Sequence, residues 1–222
     1  MGQEGKKFVA ELIGTFALIL FGAGAGLQHV TAQNVGMTGI AVAHGIAILI
    51  GIYAFGHISG GHFNPAVTFG FLVTRRIGFG GAISYWIAQL LGACLAAAVL
   101  FTAYHGPTEG NLAAPALAAG IDPMLGMLLE ATMAFMLVIV IFGSAVDPRA
   151  PKGFAGMAIG FTLIGNILVG GSLTGASFNP ARAFGPAFVA GFWQDQWIYW
   201  VGPLLGAAVA ALLYDRLLLE RT

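Results

Sequence analysis

The sequence predicts an all-α membrane protein: six transmembrane helices plus two re-entrant half-helices, laid out as an inverted three-span repeat. Three observations carry this. Of 222 residues, 58% are hydrophobic and 8% charged, with a mean hydropathy of +0.87, a surface that no water-soluble domain could cover. Charges are absent from six stretches, near 12–26, 37–56, 77–104, 131–146, 154–171 and 196–214, each close to the roughly 20 residues that cross about 30 Å of hydrocarbon as helix. The third observation is a duplication. Asn64-Pro65-Ala66 sits in the frame Ser59-Gly-Gly-His-Phe-Asn-Pro-Ala-Val-Thr-Phe-Gly70, and Asn179-Pro180-Ala181 in the matching frame Thr174-Gly-Ala-Ser-Phe-Asn-Pro-Ala-Arg-Ala-Phe-Gly185.

The first stretch follows Lys6 and Lys7 and reaches small residues at Gly24 and Ala25, the outline of a signal peptide. Its Glu11 and Phe16 recur as Glu130 and Phe135 in the fourth stretch, which makes it part of the mature fold. The third stretch holds the sole thiol, Cys94, so no intrachain disulfide forms. Its Tyr85-Trp86 and Leu90-Leu91-Gly92-Ala93 recur as Tyr199-Trp200 and Leu204-Leu205-Gly206-Ala207 in the sixth. Three landmarks thus repeat in order, dividing a single domain of residues 1–222 into halves of about 8–105 and about 123–218. Three spans per half is an odd number, so the second half enters the membrane from the opposite face.

The apolar runs after each Asn-Pro-Ala, Ala66 to Val73 and Ala181 to Ala190, are too short to cross a bilayer. They read as half-helices starting at mid-membrane, with Asn as N-cap and Pro at the first helical position, where its missing N–H costs nothing. Irregular backbone at that depth survives only where it is buried or lines a water-filled cavity. The approaches through Gly60, Gly61 and Gly175 are expected to run extended, turning carbonyls toward that cavity.

Charge placement tests the topology independently. With the N-terminus in the cytoplasm, the positive-inside bias requires basic residues in the N-terminus, the connections after the second and fourth spans, and the C-terminus. Lys6, Lys7, Arg75, Arg76, Arg149, Lys152, Arg216 and Arg221 all fall there; the ninth basic residue, Arg182, follows the second Asn-Pro-Ala. An Arg at membrane depth is costly and marks function.

The two Asn-Pro-Ala frames, the lead-in His57-Ile-Ser-Gly-Gly-His62, the paired Glu11 and Glu130, and Arg182 together resemble the aquaporin (major intrinsic protein) family over nearly the whole chain. The resemblance implies a passive channel for water and small neutral solutes that excludes protons and ions, and a homotetramer in the bilayer. It also implies a four-residue selectivity filter of His44, Ile167, Ala176 and Arg182. This set is most similar to that of tonoplast intrinsic proteins, whose members pass water and often ammonia. Ala183 after Arg182 departs from the Asp usual in glycerol conductors. Opposed positive helix ends at the two asparagines would repel cations, while the asparagine amides donate to passing water.

Glu11 and Glu130 read as buried scaffolding that accepts from loop N–H groups. His57 and His62 lack a Cys or carboxylate companion, so no metal is expected, and His62 reads as lining the inner mouth. Trp86, Trp197 and Trp200 read as interface anchors. Gly92 with Ala96 permits close helix packing. No nucleophile and base constellation points to an enzyme, and no cofactor or nucleic-acid partner is expected. Other readings of the same architecture are a secondary transporter, which usually carries a titratable group at its central site, a glycerol or urea facilitator, and a non-conducting junction protein. Short loops and termini favour a prokaryotic inner (plasma) membrane.

Overall fold

The computed structural model describes residues 2–106 and 111–220, so Arg221 lies outside the described residues. Eight helices follow in order: α1 (Gln3–Ala32), α2 (Gly36–Ser59), α3 (Pro65–Val73), α4 (Phe79–Ala103), α5 (Pro123–Ile141), α6 (Ala155–Thr174), α7 (Pro180–Ala190) and α8 (Ile198–Leu213). Six of them are long and apolar enough to cross a membrane, and the molecule is an integral multi-pass membrane protein. The helix bounds differ from the charge-free stretches mainly where polar residues extend an end. α1 begins at Gln3, and α5 begins at Pro123 behind the cap Asp122, whose carboxylate accepts from the Met124 N–H at 2.8 Å.

α3 and α7 are the half-helices, and each packs on the last long helix of the opposite half: α3 on α8, α7 on α4. The halves are therefore interleaved. Within each half the first helix packs on the second and on the last (α1 on α2 and α4, α5 on α6 and α8), and α2 meets α6 across the middle. Close approach of backbones sets these crossings. A Cβ at Gly92 would collide with the Leu12 carbonyl of α1, and one at the equivalent Gly206 with the Ala131 carbonyl of α5. Without a hydrophobic drive between helices in lipid, such small-residue contacts supply the packing attraction.

Both α5 and α8 end in a wide π-type turn, Phe142–Val146 and Tyr214–Leu218. These ends meet the connection after α3. The Arg76 guanidinium donates to Asp215 at 2.8 Å and lies over the Phe142 ring, while Arg149 donates to Asp147, to the Leu218 carbonyl and to Glu220. Four of the segments assigned one side of the membrane by their basic residues thus include three that converge at one end of the bundle.

Candidate transmembrane pore

Each half-helix is capped locally as its sequence dictates. Asn64 Oδ1 accepts from the Ala66 N–H at 2.8 Å; Asn179 Oδ1 accepts from Ala181 at 3.0 Å and Arg182 at 3.2 Å. Pro65 and Pro180 take the first helical positions. The amides do more than sequence reasoning foresaw. Asn64 Nδ2 donates to the Phe178 carbonyl and Asn179 Nδ2 to the Phe63 carbonyl, both at 3.0 Å. Each cap is tied to the turn before the other cap, a reciprocal pair that gives the two halves a local two-fold relation. One N–H of each amide is spent on this lock, which leaves the second to face the cavity.

The approaches to the caps are not extended. Gly60, Gly61 and Gly175 have φ of 91°, 67° and 78°, and the non-glycine residues Phe63, Ala176 and Phe178 have φ of 46°, 42° and 35°. Left-handed backbone costs an L-residue about 1–2 kcal/mol, so something must hold it. Two buried carboxylates do. Glu11 accepts from the His62 N–H (2.9 Å), the Phe63 N–H (2.7 Å), Ser59 Oγ and Gln89 Nε2; Glu130 accepts from the Ser177 N–H (3.0 Å), the Phe178 N–H (2.5 Å) and Thr174 Oγ1. Charge-assisted bonds of this kind are roughly twice as strong as neutral ones, and here they fall on the N–H groups of the strained turns. Tyr85 and Tyr199 brace the same places, their hydroxyls donating to the Ser59 and Thr174 carbonyls.

A cavity of about 150 Å³ runs past these groups. Its lining includes Asn64 and Asn179 at the caps, Gly60, Gly61 and His62 on one approach, and Ala176, Ser177 and Phe178 on the other. His44 and Arg182 reach it as well, with apolar wall from Val67, Phe71, Leu137, Ile159 and Leu163. Gly175, read from sequence as pore-lining, is not against the cavity: a Cβ there would meet Pro115, so it packs behind the wall. Ile167 is 2% exposed and is likewise not among the lining residues; Leu163, one turn earlier on α6, is the residue of that helix nearest its place. Trp86 is also placed differently from expectation. Its Nε1 donates to the Pro65 carbonyl at 3.1 Å, tying α4 to the first cap.

At one end of the cavity Arg182 Nη1 donates to the Ala113 carbonyl at 2.8 Å, at the end of the left-handed run Asn111–Ala113. Its Nε, and His44 Nε2, are buried without a protein partner, while His44 Nδ1 is bonded to the Ile40 carbonyl at 2.9 Å. Both orphaned groups belong to cavity-lining residues and can take hydrogen bonds with a small polar molecule. At the other end His62 Nδ1 meets Thr68 Oγ1 at 3.1 Å, and Thr68 in turn accepts from Gln89. Thr68 and Gln89 were missed by sequence reasoning; the second half has Ala183 and Pro203 in the corresponding places, so the duplication carries no signal for them.

Residues 3–214 match the Major intrinsic protein family. Aquaporin TIP1-2 of Zea mays is 43% identical over 95% of this chain and 85% of its own length. Probable aquaporin TIP3-2 of Arabidopsis thaliana is 41% identical over 96% and 84%. The X-ray structure of the aquaglyceroporin from Plasmodium falciparum superposes with a TM-score of 0.86 over 96% of each chain at 23% identity, a likeness of fold. On these grounds the chain belongs to the major intrinsic protein family.

Proposed function

We propose that the protein is a passive channel for water, and secondarily for ammonia, that excludes protons and ions. The whole chain acts as one channel domain built of halves of about 8–105 and about 123–218. The observation that carries the reading is the reciprocal lock. It brings two helix N-termini to one point on the cavity, each end worth about half a unit charge, and presents one amide N–H from Asn64 and one from Asn179 to the same stretch of the file. A water accepting from both asparagines cannot also relay a proton along the chain, and the paired positive ends repel cations.

His44, Ala176 and Arg182 form the selective end, with Ile167 as apolar backing beyond Leu163. Arg182 adds a fixed positive charge, and the two unsatisfied nitrogens supply the hydrogen bonds that a neutral solute needs to shed its own water. The absence of carboxylates among the described lining residues favours a static pore over a proton- or ion-coupled transporter. Relatives named aquaporins support water as the first solute. The basic residues Lys6, Lys7, Arg75, Arg76, Arg149, Lys152 and Arg216 put both termini in the cytoplasm, and the protein works as a homotetramer in its membrane. Placement in the inner or plasma membrane rests on the short loops alone, and the relatives give it no support.

The test is stopped-flow light scattering on proteoliposomes under sucrose, glycerol and ammonium gradients. Water permeability should rise with a low activation energy, because waters in the file exchange hydrogen bonds with Asn64, Asn179 and backbone carbonyls; ammonia flux should follow, and glycerol flux should stay low. An Arrhenius slope equal to that of bare lipid refutes the reading.

A further inference from the structure

A second cavity, of about 280 Å³, lies away from the pore and is lined by Pro65, Phe69, Trp86, Leu90, Trp200 and Leu204. Only carbon faces it: its wall has no polar surface, and the Trp86 indole N–H is spent on the Pro65 carbonyl. A solute that needs a hydrogen bond gains nothing there. The cavity sits in the seam between α4 and α8, with the back of the first half-helix as its floor. The neighbouring side chains along the seam, Ile87 and Leu91 on α4 and Val201 and Leu205 on α8, are 41–53% exposed. In a bilayer-spanning protein such rows face hydrocarbon.

Depth narrows the occupant further. Trp86 is seven residues into α4, about 10 Å from its start, and Trp200 lies in the first turn of α8, which starts at the opposite end of the bundle. Pro65, which opens the half-helix starting at mid-membrane, lines the cavity as well, so the cavity reaches inward to the depth where acyl chains end. The two halves also differ here. Trp86 turns inward to the Pro65 carbonyl, whereas its counterpart Trp200 stacks edge-to-face on Phe184 at 6.1 Å, and Phe184 in turn packs on Phe188 and Trp193. That aromatic cluster gathers around Phe184 on the second half-helix, whereas its counterpart Phe69 on the first borders the open cavity.

We propose that this cleft is a binding site for the terminal part of a lipid acyl chain, which props the back of the half-helix that carries Asn64. The occupant is hydrocarbon, drawn from the bilayer beside α4 and α8. An empty cleft would forfeit dispersion contacts along its whole wall, and a flexible chain end in surrounding lipid is the species available to recover them.

The experiment uses the full chain in vesicles with Trp193→Phe and Trp197→Phe, leaving Trp86 and Trp200 as the only indoles. Vesicles contain phosphatidylcholine brominated either near the chain terminus or near the carbonyl. Fluorescence should be quenched more by terminal bromine, saturating at a low fraction of brominated lipid. Filling the cleft with Leu90→Phe or Leu204→Phe should reduce that quenching about twofold or more, as expected for loss of a bound quencher. If a filled variant does not fold, Leu90→Ala enlarges the cleft and should raise the quenching instead. Equal quenching in parent, filled and enlarged proteins, or stronger quenching by the shallow label, overturns the site. Relief of quenching by added sterol beyond simple dilution overturns the acyl chain as occupant.

Discussion

Gly22→Ala is the substitution that most directly tests the selective end of the pore. Gly22 lies in α1 with its Cα against the ring of His44 on α2, and a Cβ built there would fall under 3.0 Å from three atoms of that ring. Ordinary contact begins at 3.4 Å, so the imidazole must move by roughly 1 Å, a displacement that an overpacked site resists at about 1–3 kcal/mol. The ring is tethered at Nδ1 to the Ile40 carbonyl, 2.9 Å away, and it can yield only toward the cavity that it shares with Arg182. If that cost must be met whenever the filter admits a water, permeability falls by roughly 5- to 150-fold. Alanine is otherwise the better helix residue by about 1 kcal/mol, so the loss cannot be laid to the helix. Water permeability per protein copy in proteoliposomes measures it, with protein content matched. The double variant Gly22→Ala with His44→Ala removes the ring and should recover water flow while admitting urea. Full water flow in the single variant refutes the reasoning; a double variant that stays closed shows that α1 and α2 were forced apart instead.

On the proposed two-layer charge exclusion, Arg182→Val should keep water flow and add a small cation leak, with His44→Ala raising both leak and urea flux; voltage clamp of oocytes across a proton gradient reads it, and no leak in the double variant contradicts the proposed filter. Glu130→Gln keeps one acceptor oxygen and turns its amide N–H₂ toward either the Phe178 N–H or the Ser177 N–H, which bond to different carboxylate oxygens, and should cost about 1–3 kcal/mol for the donor left unsatisfied, seen as a lower thermal midpoint in detergent; an unchanged midpoint contradicts the clamp. Asp147 is held far below the usual carboxylate range by hydrogen bonds from the Arg149 side chain and backbone, and the guanidinium is held up by the same pair. A depressed carboxylate lends stability above its unfolded pKa and loses it only as pH falls through the folded one, so the Arg149 tie to the C-terminal turn should persist from neutral pH down through the ordinary carboxylate range. Proteolysis of the C-terminal segment should accordingly be flat with pH in that range, and faster at every pH in Arg149→Ala.

The spans, the two half-helices and the caps were legible in the sequence because each depends on near neighbours. An Asn side chain reaches the N–H two residues on, a proline presets its own φ, and about 20 apolar residues must cross a bilayer whatever they pack against. The paired carboxylates were legible through duplication, since Glu11 and Glu130 recur in matching frames. Folding alone decided the rest. The amide of Asn64 reaches a carbonyl 114 residues away and that of Asn179 one 116 residues away, bonds that no local pattern encodes. The left-handed residues Phe63, Ala176 and Phe178 oppose residue preference; buried carboxylates from other helices take the Phe63 and Phe178 N–H groups, and Thr174 Oγ1, itself bonded to Glu130, takes that of Ala176. Gly175 came to pack against Pro115 and Ile167 to be buried, and the Trp86 indole N–H turned to the first cap, because a side chain's facing is set by how α4, α6 and the half-helices pack. Periodicity names the face of a helix that is buried; tertiary packing alone selects which part of that face meets water.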